Sequence, residues 1–345
     1  MSNIKKKYFS ADLFSGVGGL TAGMHDAGFQ TKFAVELEVD AVKGYKLNFP
    51  ETKVLQKDIR SVKIDEMKSL LDSKPLHLLA GCPPCQGFSS IRKLNRKASV
   101  RDKRNSLVEE YFKMVKELKP LTIMMENVPG LKDYYLFKDI VKRLDALGYD
   151  PKVDVINVKD YGVPQNRKRL IMVGSLLGNL EIAPASGKKR TVRSEIEHLP
   201  TPDEADDPLQ KIVANHTEKV MERIRLTPKD GGSRKDLPDE YLLDCHNKKN
   251  IGFNDVYGRL RWDDYSTTIT GGCLNPSKGR FLHPEQNRVI TPREAALLQS
   301  FPEDYKFPTD ISKSSLALLI GNALPPRFSY IQSKNIKEHL DQHFG

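Results

Sequence analysis

The chain has 345 residues, 39% hydrophobic and 29% charged, with 55 Lys and Arg against 45 Asp and Glu for a formal net charge of +10. That length supports one large core and a smaller second one, and no apolar run approaches the roughly 20 residues a membrane span needs. Four cysteines, Cys82, Cys85, Cys245 and Cys273, are too few for a disulfide scaffold, and the opening MSNIKKKYFS carries no apolar export segment; a cytoplasmic protein is expected, with nucleic acid before membrane as the partner its positive charge suits.

The first predicted strand is YFSADLF (8–14), near-continuously apolar as a strand buried on both faces should be. It runs into DLFSGVGGL (12–20), whose Gly16, Gly18 and Gly19 allow a tight turn and close approach of backbone to a ligand before a helix at GLTAGMHDAG. The glycines lack the G-x-G-x-x-G spacing of pyrophosphate binders, so a nucleoside ligand fits better. A second strand, KFAVE (32–36), ends in Glu36, placed to accept hydrogen bonds from ribose hydroxyls; a third, KVLQKD (53–58), ends in Asp58, where an adenine edge would lie. Helices at EVDAVKGYKLNF and DEMKSLLDS separate these strands, and the alternation predicts a parallel sheet covered on both faces.

The fourth strand, LHLLAG (76–81), delivers CPPCQGFSS to the carboxyl edge of the sheet, where open α/β folds bind their ligands. Three chemistries compete for Cys82 and Cys85: half of a metal site completed by Cys245 and His246, a dithiol redox pair, or one nucleophilic thiol beside a bystander. Pro83, Pro84 and Gly87 predict a shaped loop rather than the helix start a redox pair would want, and the basic run from Arg92 to Arg104 suits a phosphate-binding arm. After a helix at SLVEEYFKMVKEL, the strand LTIMMEN (121–127) brings Glu126 to the same edge as a candidate proton donor. Two further strands are expected at 152–158 and 169–175; Gln165, Arg167 and Arg169, at alternate positions entering the latter, are expected to share one side and face a phosphate or base edge.

From about 178 to 285 the chain turns rich in Pro, Gly, Asp and Lys, with one convincing helix in ANHTEKVMERIRL, and reads as a small irregular domain. Helical patterning resumes at TPREAALLQSF, where Thr291, Pro292 and Glu294 form a capping-box start, and continues through KSSLALLIGNALPPRFSYIQSKNIKEHLD. Residues 286–345 are expected to fold back on the catalytic domain of residues 1–177.

DLFSGVGGL, GCPPCQGFS, ENVPG, QNRKR, REAALLQSFP and GNALPP stand in this order, and the chain thereby resembles the S-adenosylmethionine-dependent DNA cytosine-5 methyltransferases from residue 12 to 326. The resemblance implies a Rossmann-like mixed, mostly parallel sheet with helices on both faces and a target recognition domain in the variable interval. It implies a covalent mechanism in which the thiolate of Cys85 adds to carbon 6 of a flipped-out cytosine, Glu126 protonates or hydrogen-bonds ring nitrogen 3, and Arg167 assists Glu126. Phe14, Ser15 and the glycines would line the methionine and adenine pocket, Glu36 would hold the ribose, Leu37, Asp58 and Ile59 would meet the adenine, and Asn322 would close the pocket from the tail. Leu37 departs from the aromatic or Ile that often stacks there. Gln86, Ser89, Arg104, Gln165, Arg169 and Thr268 would meet the DNA, S-adenosyl-L-homocysteine would be the product, and no metal is implied. A stand-alone monomeric enzyme of a bacterial or phage restriction-modification system on double-stranded DNA is the expectation; a tRNA cytosine-5 methyltransferase and a DNA-binding homologue without catalysis are the rivals.

Overall fold

The structure, a computed structural model, describes residues 7–84, 107–185, 187–243 and 255–344. It divides into two compact units: one comprises Met1–Tyr161, Lys168–Ser186 and Leu324–Gly345, the other Gly162–Arg167 and Gly187–Ala323.

The first unit is built on a sheet of β1 (Tyr8–Leu13), β2 (Phe29–Glu36), β3 (Lys53–Gln56), β4 (Leu78–Gly81), β5 (Thr122–Asn127), β6 (Lys152–Asn157) and β7 (Lys168–Ser175). Their spatial order is β3-β2-β1-β4-β5-β7-β6. The first five pair in parallel, whereas β7 runs antiparallel to both β5 and β6. The predicted strands thus form a mixed, mostly parallel, Rossmann-like sheet.

Alternation of side chains along each strand sorts the sheet into two faces. Ala11, Leu13, Phe33, Val35, Leu79, Ile123, Met125, Leu170 and Met172 point into one apolar core. That core is completed by α3 (Ile64–Leu70), α4 (Leu107–Leu118) and α5 (Tyr135–Ala146). On α4 the buried residues Leu107, Val108, Tyr111, Phe112, Met114, Val115 and Leu118 recur at spacings of three and four, the stripe a core-facing helix needs. The helix α5 is not among the predicted elements, yet it buries Phe137, Ile140 and Leu144 by the same spacing.

The opposite face carries Ser10, Asp12 and Ser175 and is covered by α1 (Gly19–Asp26), α2 (Val39–Asn48) and the C-terminal helix, numbered α11 here (Pro326–Phe344). Thr21 of α1 donates to Asp12 Oδ2 at 2.6 Å, and Ser175 Oγ lies 2.8 Å from His339 Nε2 of α11. Helices α1 and α11 touch backbone to backbone: a Cβ on Gly23 would stand 2.3 Å from the amide nitrogen of Tyr330, and Ser329 Oγ donates to the Leu20 carbonyl at 2.7 Å. The tail therefore does return to the first unit, but only from Leu324 onward.

The second unit holds α6 (Val192–Ile196), α7 (Pro208–Lys211), α8 (Glu218–Leu226), α9 (Pro292–Leu298) and α10 (Lys313–Asn322). Among its described residues there are isolated bridges but no strand of the main sheet. Buried polar groups give it definition: Arg259 donates to the carbonyls of Ile224, Thr227, His283 and Gln286, and Arg288 pairs with Glu294 at 2.6 Å. The Thr291 capping box at the start of α9 forms as the sequence predicts.

The units divide the chain at other places than the composition boundaries at 177 and 285. The stretch 162–167 belongs to the second unit although it lies between β6 and β7, and 286–323 belongs there as well. Pro325 and Pro326 interrupt the apolar helical stretch of the tail: α10 ends at Asn322 and α11 starts with Pro326, whose missing N–H costs nothing in a first turn.

Candidate active site

The parity of side chains places five groups on one face of the sheet, over five adjacent strands. Asp12 is paired with Ala80 of β4 and Ala34 of β2. Glu36 lies two residues beyond Ala34 and Cys82 two beyond Ala80, so both share the face of Asp12. Met124 pairs with Ala80 and Glu126 with Ile171, which brings Glu126 and Arg169 to that face also. The row therefore reads Glu36, Asp12, Cys82, Glu126, Arg169 across β2, β1, β4, β5 and β7, at the carboxyl ends of the parallel strands. Glu126 is buried, and Arg169 Nε reaches its Oε1 at 2.8 Å.

Burial raises the proton affinity of two members of the row. The Asp12 carboxyl is pushed up to about 7 by burial, against the lowering effect of the Thr21 hydrogen bond and with a further push from Glu36. The Cys82 thiol is raised well above its ordinary value, first by burial and then by the charges of Glu126 and Asp12, with Arg169 opposing. Cys82 is thus a protonated thiol rather than a thiolate, the opposite of what a nucleophile needs.

The turn after β1 is bent by three left-handed residues, Phe14 (φ 60°), Gly16 (φ 55°) and Gly18 (φ 94°). A bulky residue such as Phe14 rarely adopts that conformation, and such strain collects at functional sites. Glu36 holds the turn from the neighbouring strand: its Oε2 accepts from Gly16 N at 2.7 Å, and its Oε1 accepts from Leu37 N at 2.7 Å and Glu38 N at 2.9 Å. Among the described residues, Asp12 Oδ1 and Ser15 Oγ are buried without a hydrogen-bond partner. A buried carboxylate oxygen and hydroxyl left unsatisfied beside a glycine turn are a fit for a ligand that brings donors of its own.

Leu37 is 54% exposed and Val39 65% exposed, an apolar pair beside Glu36 that a flat ring would cover. Asp58 caps the short turn Ile59–Ser61 through Arg60 N at 2.9 Å, and its carboxylate pairs with the Arg60 guanidinium, which lowers it to about 2. Ile59 is buried.

In the second unit, Gln165 and Arg167 precede β7, on whose alternation their expected grouping with Arg169 rests. The strand β7 starts only at Lys168, so the alternation does not extend back to them. Arg167 is buried and donates to the carbonyls of Ile269 (2.9 Å), Gly321 (3.1 Å) and Ala323 (3.3 Å). Gln165 donates to the Leu298 carbonyl at 3.1 Å and accepts from Ile269 N at 2.9 Å. Thr268 donates its hydroxyl hydrogen to the Asn166 carbonyl at 2.8 Å. These side chains hold 165–167, 268–269, the end of α9 and the end of α10 together. A Cβ on Gly321 would stand 2.1 Å from the Thr270 carbonyl carbon, which explains the glycine of GNALPP. Asn322 is exposed at the end of α10. The arginine next along the chain after Arg167, Arg169 on β7, pairs with Glu126.

Residues 8–338 match the C-5 cytosine-specific DNA methylase family. The chain belongs to that family. Among its relatives, Type II methylase M.HgiDII of Herpetosiphon aurantiacus is 34% identical over 96% of this chain and 95% of its own length. Type II methyltransferase M1.HphI of Haemophilus parahaemolyticus is 34% identical over 91% of this chain and 82% of its own. A solved structure described as a prophage-encoded DNA modification methyltransferase (E. coli) has a TM-score of 0.73 at 25% identity, covering 97% of this chain and 99% of that one.

This DNA methyltransferase transfers a methyl group from S-adenosylmethionine to carbon 5 of cytosine, and the family match favours DNA over the tRNA rival. Cys85, Gln86, Ser89 and Arg104 lie outside the described residues, as do Cys245 and His246 of the metal reading. Among the described residues, no helix of the methyltransferase is long and apolar enough to cross a membrane.

Asp12 escaped sequence reasoning, and Cys82 entered it only as a metal ligand, a redox partner or a bystander. Asp12 carried a signal, an acidic residue inside an otherwise apolar strand, which demands a reason. Cys82 carried another: it precedes Cys85 by three residues and shares the parity of Glu126 across a parallel pair, but that parity becomes visible only once the register of β4 on β5 is known.

Proposed function

We propose that the methyltransferase acts through a covalent adduct between Cys85 and carbon 6 of a cytosine turned out of double-stranded DNA. The observation that carries the reading is the row of Glu36, Asp12, Cys82, Glu126 and Arg169 on one sheet face, ending three residues before Cys85. When bound, S-adenosylmethionine supplies an electrophilic methyl group.

The residues of the chain do the rest. The Cys85 thiolate adds to carbon 6, while Glu126, held by Arg169, stabilises the developing charge at ring nitrogen 3 by proton or hydrogen-bond donation, and carbon 5 gains electron density. Loss of the carbon 5 proton and elimination of Cys85 then restore the aromatic ring. Glu36 receives the ribose hydroxyls, and Asp12 Oδ1 and Ser15 Oγ receive donors of the methionine end. Leu37 and Val39 supply the apolar cover for adenine, and Asp58 takes the adenine amino group alongside Arg60. Residues of 187–285 read the target sequence, which depends on the loop side chains that reach the groove. The enzyme works as a cytoplasmic monomer in a bacterial or phage modification system.

The test is a pair of serine variants assayed for methyl transfer by bisulfite sequencing. Cys85→Ser abolishes transfer and keeps DNA binding, whereas Cys82→Ser retains transfer. Equal loss in both would overturn the assignment of the nucleophile and return the pair to metal or redox chemistry.

A further inference from the structure

We propose that the Cys82 thiol is a positioning group for Glu126, a hydrogen-bond donor that acts with Arg169 to fix the carboxyl in its working orientation. The inference rests on the reading that Glu126 acts on the cytosine ring.

The geometry starts from the ladder. Gly81 of β4 pairs with Met125 of β5, so the next residue along each strand sets Cys82 beside Glu126, with both side chains on the same face. The backbone on either side of Cys82 is pinned: its amide donates to the Leu13 carbonyl of β1 at 3.2 Å, and the carbonyl of Pro83 accepts from Asn127 Nδ2 at 2.8 Å. The thiol is therefore held between β1 and β5. The Glu126 carboxyl beside the thiol acts on its proton affinity, and Arg169 Nε meets the same carboxyl at 2.8 Å.

Among the described residues, the charged or titratable groups around the thiol are Asp12 on β1, Glu126 on β5, Arg169 on β7 and Tyr111 on α4. Two carboxyls flank it and one guanidinium opposes them, a setting that keeps the proton on sulfur. A protonated thiol is a donor and a poor nucleophile. The Cys-Pro-Pro-Cys pair is then a division of labour, one sulfur orienting the acid and the other attacking the base.

The experiment compares Cys82→Ala and Cys82→Ser with the wild-type enzyme in steady-state methylation across pH, with melting curves for all three. In Cys82→Ala the turnover number falls about fivefold, the size of one modest hydrogen bond, with the KM for DNA unchanged. Loss of a donor to the reacting acid also shifts the limb of the pH profile of turnover. Cys82→Ser, which keeps a donor, brings both back toward wild type. A Cys82→Ala enzyme with wild-type turnover and pH limb overturns the proposal, as does a loss shared equally by Ala and Ser, or a lowered melting temperature with an unmoved limb. Trapping of the wild-type enzyme by 5-fluorocytosine DNA separates the two readings: without trapping the Cys85 mechanism fails, whereas trapping with an inert Cys82→Ala leaves that mechanism standing and removes only the role of Cys82.

Discussion

At the residue scale, the site is a set of buried polar groups whose proton affinities diverge with their surroundings. Asp12 shows the consequence for stability. Its carboxyl is raised from 3.8 to about 7 in the folded chain, so between these values the folded state keeps a proton that the unfolded state has released. Unfolding free energy therefore falls as pH rises from about 4 to about 7, by at most about 1.4 kcal/mol per pH unit, and levels off above that window. The sign is the reverse of a salt-bridged aspartate such as Asp58, whose carboxyl is lowered to about 2. Asp12→Asn should lack this slope and gain on the wild type as the window is crossed, which denaturant unfolding at about pH 5 and about pH 8 would read. Parallel slopes in the two proteins would remove Asp12 as the titrating group.

At the scale of elements, Arg167 stitches together segments far apart in sequence, 165–167, 268–269 and the end of α10. Its planar fork reaches three carbonyls, a geometry an ammonium group does not reproduce. Arg167→Lys should thus leave buried acceptors unsatisfied and cost about 1–3 kcal/mol of stability, with loss of activity following loss of fold. Chemical denaturation checks this, and a variant of full stability with abolished methyl transfer would instead make Arg167 a catalytic group. Most of the elements were legible in the sequence because each obeyed a local rule: near-continuous apolar runs for β1 to β5, three-and-four spacing for α4, and the Thr291 capping box for α9. What was not legible was non-local. The pairing of Arg169 with Glu126 follows from the antiparallel register of β7 on β5, and the engagement of Gln165 and Arg167 follows from carbonyls more than a hundred residues away. Alternation alone grouped Gln165, Arg167 and Arg169 because it presumed that the strand began before Lys168. The helix α5 was missed because its first turn, Tyr135 and Leu136, follows an irregular loop with no capping side chain to mark a start.

At the scale of the whole molecule, the chain gathers a row of buried polar groups at the carboxyl edge of one sheet and builds a second unit from turns, short helices and buried arginines. The motif order made the family legible before any fold was known, because six segments stand in one order from residue 12 to 326. The domain boundaries were less so, since composition reports where regular structure stops and not which body a segment packs against; 286–323 is helical and yet belongs to the second unit. The central claim is the bond between Cys85 and the base, and mass spectrometry of the peptides from enzyme trapped on 5-fluorocytosine DNA with S-adenosylmethionine tests it most directly. The account predicts a methylated fluoropyrimidine nucleotide attached to Cys85 and an unmodified thiol at Cys82. Attachment at Cys82, or no protein adduct while unmodified cytosine is still methylated, would contradict it.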